Sequence, residues 1–310
     1  MSLANYYKTI GDESRLRILN ILQNGMFSVQ ELTSLLNLSQ PTVSHHLKTL
    51  SQTGFLKSAR DGNHIFYSIE EDQADPVLKE VTDSALKACA KASQSEADTI
   101  LKRDLAQVQK LIELRRSKTK NYFDNVAKDW DALRSEAFGN ENFLDKVVDL
   151  IEPKSCLVEL GCGTGALLHL ILPRPGKTIG VDYSEKMLQE CRNFLSSKGE
   201  SCDLRLGYME HLPVGDESAD QVIAYMSLHH VPNPRDVLKE AKRILKPNGQ
   251  LIIVDLLAHD NENMREQYAD VWLGFEIAEL NKWLNNLNYS KIETKILGKA
   301  KNAFLLTTIK

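Results

Sequence analysis

The apolar positions change rhythm along the chain. Over residues 10–22 they fall at Ile10, Leu16, Leu19 and Leu22, near the helical period, and Gly25 follows as a stop. Residues 29–36 repeat that rhythm, with Leu32, Leu35 and Leu36 on one side. Asn37 and Leu38 make a tight turn, Ser39 can cap the next helix, and Pro41 sits in its first turn, where a missing N–H costs little. That helix is expected to run to about Ser51, with Val43, Leu47 and Leu50 inward. After Gly54 the segments 55–60 and 64–69 read as strands around an Asp61-Gly62 turn. A helix over 75–91 comes next, then a polar break at Ser93 to Ala97. Leu101, Leu105, Val108 and Ile112 form a short coiled-coil-like stripe. From Cys156 onward strands and helices alternate. Strands are expected at 157–160, 178–181, 203–207, 221–225 and 250–255, with helices at 166–172, 184–196 and 234–245 between them. Such alternation predicts a parallel, doubly wound sheet. The closing pair, 291–297 and 303–309, is joined by too few residues for a crossover, so it must be antiparallel.

The helices at 29–36 and 40–51 form a helix-turn-helix. The outer face of the second shows Gln40, Thr42, Ser44, His45, Lys48 and Thr49, polar and free of carboxylates, which suits hydrogen bonds to base edges and phosphates. Arg60 and His64 flank the hairpin tip, reading as a basic β-wing that meets phosphate. The DNA-binding residues expected are therefore Gln40, Thr42, Ser44, His45, Lys48, Arg60 and His64. The alternative is a small helical bundle with a hairpin that binds another protein.

The run Leu38-Ser39-Gln40-Pro41-Thr42-Val43-Ser44-His45-His46-Leu47-Lys48, with the wing Arg60 to Tyr67, resembles the ArsR family of winged-helix repressors over about Tyr6 to Ala92. The resemblance implies a homodimer on a palindromic, double-stranded operator. Many members release DNA when a metal or metalloid binds thiols on the helix before the turn. Here residues 26–32 hold no cysteine, and residues 75–91 offer Cys89 without a histidine, so no metal site is expected.

A second centre lies at Glu159-Leu160-Gly161-Cys162-Gly163-Thr164-Gly165. A strand turning into a helix through glycines brings backbone close to a ligand and aims unpaired N–H groups at it. About twenty residues on, Asp182 ends the next strand, where an acid holds a ribose by two hydroxyls. A nucleoside-type cofactor follows, but Gly161, Gly163 and Ala166 also satisfy the dinucleotide pattern of an NAD-type oxidoreductase. The antiparallel ending argues against a purely parallel dinucleotide fold.

The glycine loop, Val181-Asp182, Glu210-His211-Leu212-Pro213, Leu228-His229-His230-Val231 and Arg243 to Leu251, in that order, resemble the motifs of class I S-adenosylmethionine-dependent methyltransferases over about Tyr122 to Ile309. The fold class is then α/β: a winged helix-turn-helix domain followed by a doubly wound, Rossmann-like methyltransferase sheet with an antiparallel final strand. The resemblance implies S-adenosylmethionine, or S-adenosylhomocysteine as effector, bound by Glu159, Gly161, Cys162, Gly163, Gly165, Asp182, Tyr183, Met209 and Glu210. Gly161 and Gly163 would pass the methionine part, Glu159 would support the loop, Asp182 would hold the ribose, and Tyr208 to Glu210 would lie beside the adenine. The family commonly has an acid where this chain has Tyr208. Residues 122–131 resemble the N-terminal helix that closes over the cofactor. His229 and His230, after the fourth strand, are the candidate catalytic residues, with Asp255 a weaker one. Residues 259–272 line the expected acceptor side. A small-molecule methyl acceptor is admitted, although the cysteines expected of arsenite methylation are missing.

Composition adds limits. At 310 residues, with 42% hydrophobic and 26% charged residues, two globular domains are expected. No apolar run approaches the ~18 residues that cross a bilayer, and residues 1–8 lack a secretion signal. Five scattered cysteines with no Cys-x-x-Cys point to reduced thiols in a cytoplasm. The net charge of −4 means that basic charge for DNA must be local. The expected organisation is residues 1–92 for DNA, 93–120 as a helical linker with the basic cluster Arg115, Arg116, Lys118 and Lys120, and 121–310 for the cofactor. The readings are a regulator that senses its cofactor, or an active small-molecule methyltransferase that also controls its own operon.

Overall fold

The computed structural model describes residues 1–93, 99–138, 143–298 and 302–310. Most of the expected polar break at 93–97 lies outside them. The chain divides into two compact units, Met1–Arg115 and Arg116–Lys310.

In the first unit come α1 (Leu3–Ile10), α2 (Glu13–Leu22), β1 (Phe27–Ser28), α3 (Val29–Leu36), α4 (Gln40–Gln52), β2 (Leu56–Asp61), β3 (His64–Ile69) and α5 (Pro76–Ser93). The expected single helix over 10–22 is instead two, because the chain turns at Gly11 and Asp12 accepts a hydrogen bond from the Arg15 N–H as the N-cap of α2. Helix α3 starts with a reciprocal capping box: Ser28 Oγ accepts from the Glu31 N–H, and Glu31 Oε2 accepts from the Ser28 N–H. It ends at Asn37, whose left-handed backbone (φ 55°) makes the tight turn. Strands β2 and β3 pair antiparallel from Leu56↔Ile69 to Asp61↔His64. Val43, Leu47 and Leu50 of α4 are fully buried in a core with Ile18, Leu19, Phe27, Leu32 and Phe55.

Helix α6 (Thr99–Val126) contributes residues to both units. Its N-terminal part is packed rather than free. Val108 is buried in the first unit's core, with Leu111 and Ile112 against it. The apolar stripe also carries a charge: Asp104, fully buried, takes hydrogen bonds from Arg17 Nε (2.6 Å) and Nη2 (3.0 Å). Arg17 Nη2 also donates to the Leu36 carbonyl at the end of α3.

The second unit continues with α7 (Trp130–Phe138), α8 (Leu144–Val148), β4 (Cys156–Leu160), α9 (Ala166–Ile171), β5 (Lys177–Asp182), α10 (Glu185–Ser197), β6 (Asp203–Leu206), β7 (Ala219–Tyr225), a 3-10 turn at Leu228–His230, α11 (Pro234–Ile244), β8 (Leu245–Leu256), α12 (Asn263–Gln267), α13 (Ile277–Asn286), β9 (Ser290–Leu297) and β10 (Ala303–Ile309). The strand order is β6-β5-β4-β7-β8-β10-β9. The first five are parallel, and β10 runs antiparallel to both β8 and β9. The closing pair thus behaves as its short connection requires. The order reverses between β4 and β7, and such a sheet takes its ligand beyond the carboxyl ends of the strands at that point.

Candidate functional site

The glycine loop leaves β4 beneath β5. The N–H groups of Gly161 and Cys162 both donate to the Val181 carbonyl, which fixes the turn. Gly161 has φ 69°, and a Cβ there would come within 2.8 Å of Ser227 Cβ. Gly165, the N-cap of α9, has φ 85°, and a Cβ would meet Cys191 Sγ at 2.6 Å. Glycine is therefore demanded at the two ends of the loop for different reasons: room beside the pocket at Gly161, packing of helix on helix at Gly165.

The loop opens into a cavity lined by Phe123, Trp130, Arg134, Glu159, Gly161 to Thr164, Ala166, Leu167, Asp182, Tyr183, Met187, Met209, Tyr225 to Ser227 and His230. A smaller cavity shares Tyr183, Met209 and His230 with it and adds Arg116, Thr119, Tyr208, Glu210, Val231 and Pro232. Of the expected cofactor residues, Glu159, Gly161, Cys162, Gly163, Asp182, Tyr183 and Met209 come together in the larger cavity. Glu210 borders only the smaller one, and Gly165 lines neither, because it points at α10.

Asp182 Oδ2 accepts from the Gly163 N–H (2.9 Å) and Oδ1 from the Ser184 N–H (2.8 Å). Burial raises its pKa to about 6 against the pull of those bonds. Glu159 is pushed well above the ordinary range by burial, with Cys191 and Asp182 adding to it. Burial likewise drives the Tyr183 phenol far up. Two buried atoms lining this cavity, Glu159 Oε2 and Tyr183 Oη, have no hydrogen-bond partner among the described residues. Desolvating such groups without a partner costs about 1–3 kcal/mol each. A ligand bearing an ammonium and hydroxyls recovers that cost.

Residues 122–131 cover the cavity with more than aromatic packing. Phe123 packs edge-on to Trp130 (5.0 Å) and His230 (4.8 Å). Ser184 Oγ donates to Asp124, and Thr164 Oγ1 to Asp131, so the same segment is latched by hydrogen bonds. Beside it, Tyr208 stacks on Tyr183 (5.9 Å, 18°) and Arg116 lies 5.2 Å over the Tyr208 ring. Arg116 also donates to Glu210 Oε1 (3.2 Å), so where the family commonly has an acid this chain has a stacked tyrosine with an arginine on it. Arg116 was invisible as a pocket residue in the sequence, where it reads as one of a basic run. Two others of that run are paired: Arg115 with Glu31 and Lys120 with Asp124.

The two histidines separate. His230 lines both cavities, whereas His229 is fully buried and borders neither. His229 Nδ1 lies 2.5 Å from Asp255 Oδ1. Burial alone would lower its pKa, but the carboxylates of Asp255 and Asp270 outweigh it and raise the value to about 9. His230 moves the other way, held well below the ordinary range by burial and by His229, so a neutral imidazole faces the cavity. Asp255 is buried behind His229 rather than beside the cavity.

In the first unit, Gln40, Thr42, Ser44, His45 and Lys48 are all exposed along one side of α4, while Thr49 is half-buried and bonded to the His45 carbonyl. Arg60 and His64 are exposed at the wing, where Arg60 Nε donates to the Gly62 carbonyl and steadies the tip. His46 faces inward, 3.7 Å from Asp12.

Two family models match parts of the chain. Residues 12–58 match the family model of bacterial regulatory proteins of the arsR family, and residues 158–253 match that of a methyltransferase domain. The chain is 28% identical over 162 residues to a demethylmenaquinone methyltransferase of Desulfitobacterium hafniense (strain Y51), covering 49% of this chain and 63% of that protein. It is 31% identical over 116 residues to an arsenite methyltransferase of Halobacterium salinarum, covering 36% of this chain and 30% of that one. The match thus spans less than two thirds of each of these relatives. Among solved structures, the complex between the Haloferax volcanii Trm112 methyltransferase activator and the putative methyltransferase shares the fold, with a TM-score of 0.52 and 19% identity over 60% of this chain and 96% of that chain.

Proposed function

We propose that this chain, an ArsR-type helix-turn-helix followed by a class I methyltransferase domain, is a homodimeric DNA-binding transcriptional regulator that binds S-adenosylmethionine or S-adenosylhomocysteine in its second unit. The observation that carries the reading is the cavity at the switch point of the sheet, where Glu159 Oε2 and Tyr183 Oη are buried without partners beside Asp182.

When bound, the cofactor supplies an electrophilic methyl group on a sulfonium. Asp182 takes the ribose hydroxyls while its other contacts keep the Gly163 turn closed. Glu159, buried with Oε2 unpartnered among the described residues, receives the ammonium. Phe123, Trp130 and Tyr183 line the same cavity, and aromatic side chains there suit a cation. His230, neutral, adds no opposing charge. Tyr208 and Met209 flank the base. Methyl transfer is an in-line displacement that depends on alignment, so the latched 122–131 segment matters more than a strong acid. The acceptor is a small molecule reached from the side of residues 259–272.

For DNA, the exposed row Gln40, Thr42, Ser44, His45 and Lys48 reads base edges and phosphates of a palindromic operator, and Arg60 and His64 hold the flanking backbone. Exposed Leu3 and Tyr7 on α1 and Val77 on α5 offer apolar surface for a homodimer. The absence, among the described residues, of a helix long and apolar enough to cross a membrane fits a cytoplasmic place of action. Coupling follows α6, whose consecutive residues Arg115 and Arg116 hold Glu31 in one unit and Glu210 in the other.

The test is calorimetry with each cofactor form, with selection of duplexes from a random-sequence pool. One cofactor site per chain and enrichment of a palindrome are expected. Failure to bind either cofactor form, or enrichment of no sequence, overturns the proposal. Turnover with a panel of small acceptors then separates an enzyme that also regulates from a sensor.

A further inference from the structure

Three side chains meet beside the cofactor cavity at ion-pair distances, with His230 Nδ1 also 3.4 Å from the Ala269 carbonyl, a contact that ligation would replace. His229 Nε2 and His230 Nδ1 lie 3.7 and 3.6 Å from one oxygen of Asp270, Oδ1. Both are too long for hydrogen bonds. Yet one donor atom from each residue lies within 4.8 Å of the others, and all three residues are buried. Around a tetrahedral ion with ligand bonds of about 2.0–2.1 Å, donor atoms stand about 3.4 Å apart. The two edges to Asp270 exceed that spacing by a few tenths of an ångström, and the edge between the histidines is at most 4.8 Å, so ligation would draw the two rings together.

The donors are held in place from behind. Asp255, itself fixed by the Leu228 and Leu256 N–H groups, lies 2.5 Å from His229 Nδ1. A carboxylate there sets the tautomer that turns an Nε2 lone pair toward an ion. That Nε2 is fully buried and has no hydrogen-bond partner among the described residues. The Asp270 segment is fastened to the same histidine, because the Val271 and Trp272 N–H groups both donate to the His229 carbonyl at 3.0 Å. Ala269, just before Asp270, adopts φ 59°, a left-handed conformation that is unfavourable for a non-glycine residue.

We propose that His229, His230 and Asp270 form a binding site for a divalent transition-metal ion, with Asp255 positioning His229. Two imidazole nitrogens and one carboxylate oxygen select zinc and its neighbours over calcium or magnesium. His230 is the ligand that lines the cavity, so the ion would border the bound cofactor.

The test uses the full-length protein stripped with a chelator and titrated with Co²⁺. One equivalent per chain is expected, with the visible absorption of four-coordinate cobalt, displacement by Zn²⁺, and quenching of Trp130, whose ring lies 6.4 Å from His230. Asp270→Asn and His230→Gln should each lose the spectrum, while His64→Ala at the wing should keep it. Wild-type protein that gives no saturable spectrum overturns the site whatever the variants do. So does either variant, Asp270→Asn or His230→Gln, binding as wild type.

Discussion

Asp182 carries two duties, and both can be read separately. Its carboxylate closes the Gly163 turn and stands where a ribose would be held. Asp182→Ala should weaken cofactor binding about 10–100-fold, the value of one or two hydrogen bonds to a charged group, in calorimetry at neutral pH. The ionised form is the one that accepts hydroxyls, and burial raises the pKa to about 6. Cofactor affinity should therefore fall as pH drops through 6. The sign for folding is opposite. A carboxyl raised above its unfolded value favours the folded state at low pH, and that contribution is lost as pH rises through about 6. Affinity unchanged between pH 7 and 5 would contradict the assignment. On α4, Lys48→Ala should weaken binding to all duplexes alike and lower the salt slope by about 1, as the loss of one phosphate contact does. Much of this was legible because glycine, acid and strand end follow one another in sequence. Arg116 and Asp270 were not, since each gains its meaning from residues far away in the chain.

Elements carry the next set of consequences. The rhythm of the apolar residues located nearly every strand of the second unit to within a few positions, because buried parallel strands are short, continuous and bounded by helices. It failed where one polar residue decides. Asp12 starts a new helix after Gly11, a cap that an apolar count passes over. Asp104 sits fully buried within the stripe of α6, and its partner Arg17 lies on α2. Residues 99–115 are thereby part of the first unit's core and not a solvated connector. Asp104→Ala should cost the first unit about 3–5 kcal/mol, since it leaves a buried guanidinium unpaired. The double change Arg17→Met with Asp104→Leu should recover most of that loss. Chemical denaturation checks both, and a single mutant as stable as wild type would show that the pair contributes nothing.

At the scale of the molecule, two sites built by different rules share one chain. The first reads a surface and the second encloses a small ligand. A ligand in the second changes the first only by binding one of two states more tightly. Arg116→Ala should leave DNA binding without cofactor unchanged and reduce the response to cofactor, because Arg116 holds Glu210 and Tyr208 in the second unit. The most direct measurement is the affinity for the selected duplex with and without saturating S-adenosylmethionine or S-adenosylhomocysteine, in wild type and in Asp182→Ala. The account predicts a shift of about 5–150-fold with at least one cofactor form in wild type, and a much smaller one in the variant at the same cofactor concentration. Identical affinities with and without both cofactor forms in wild type would contradict it.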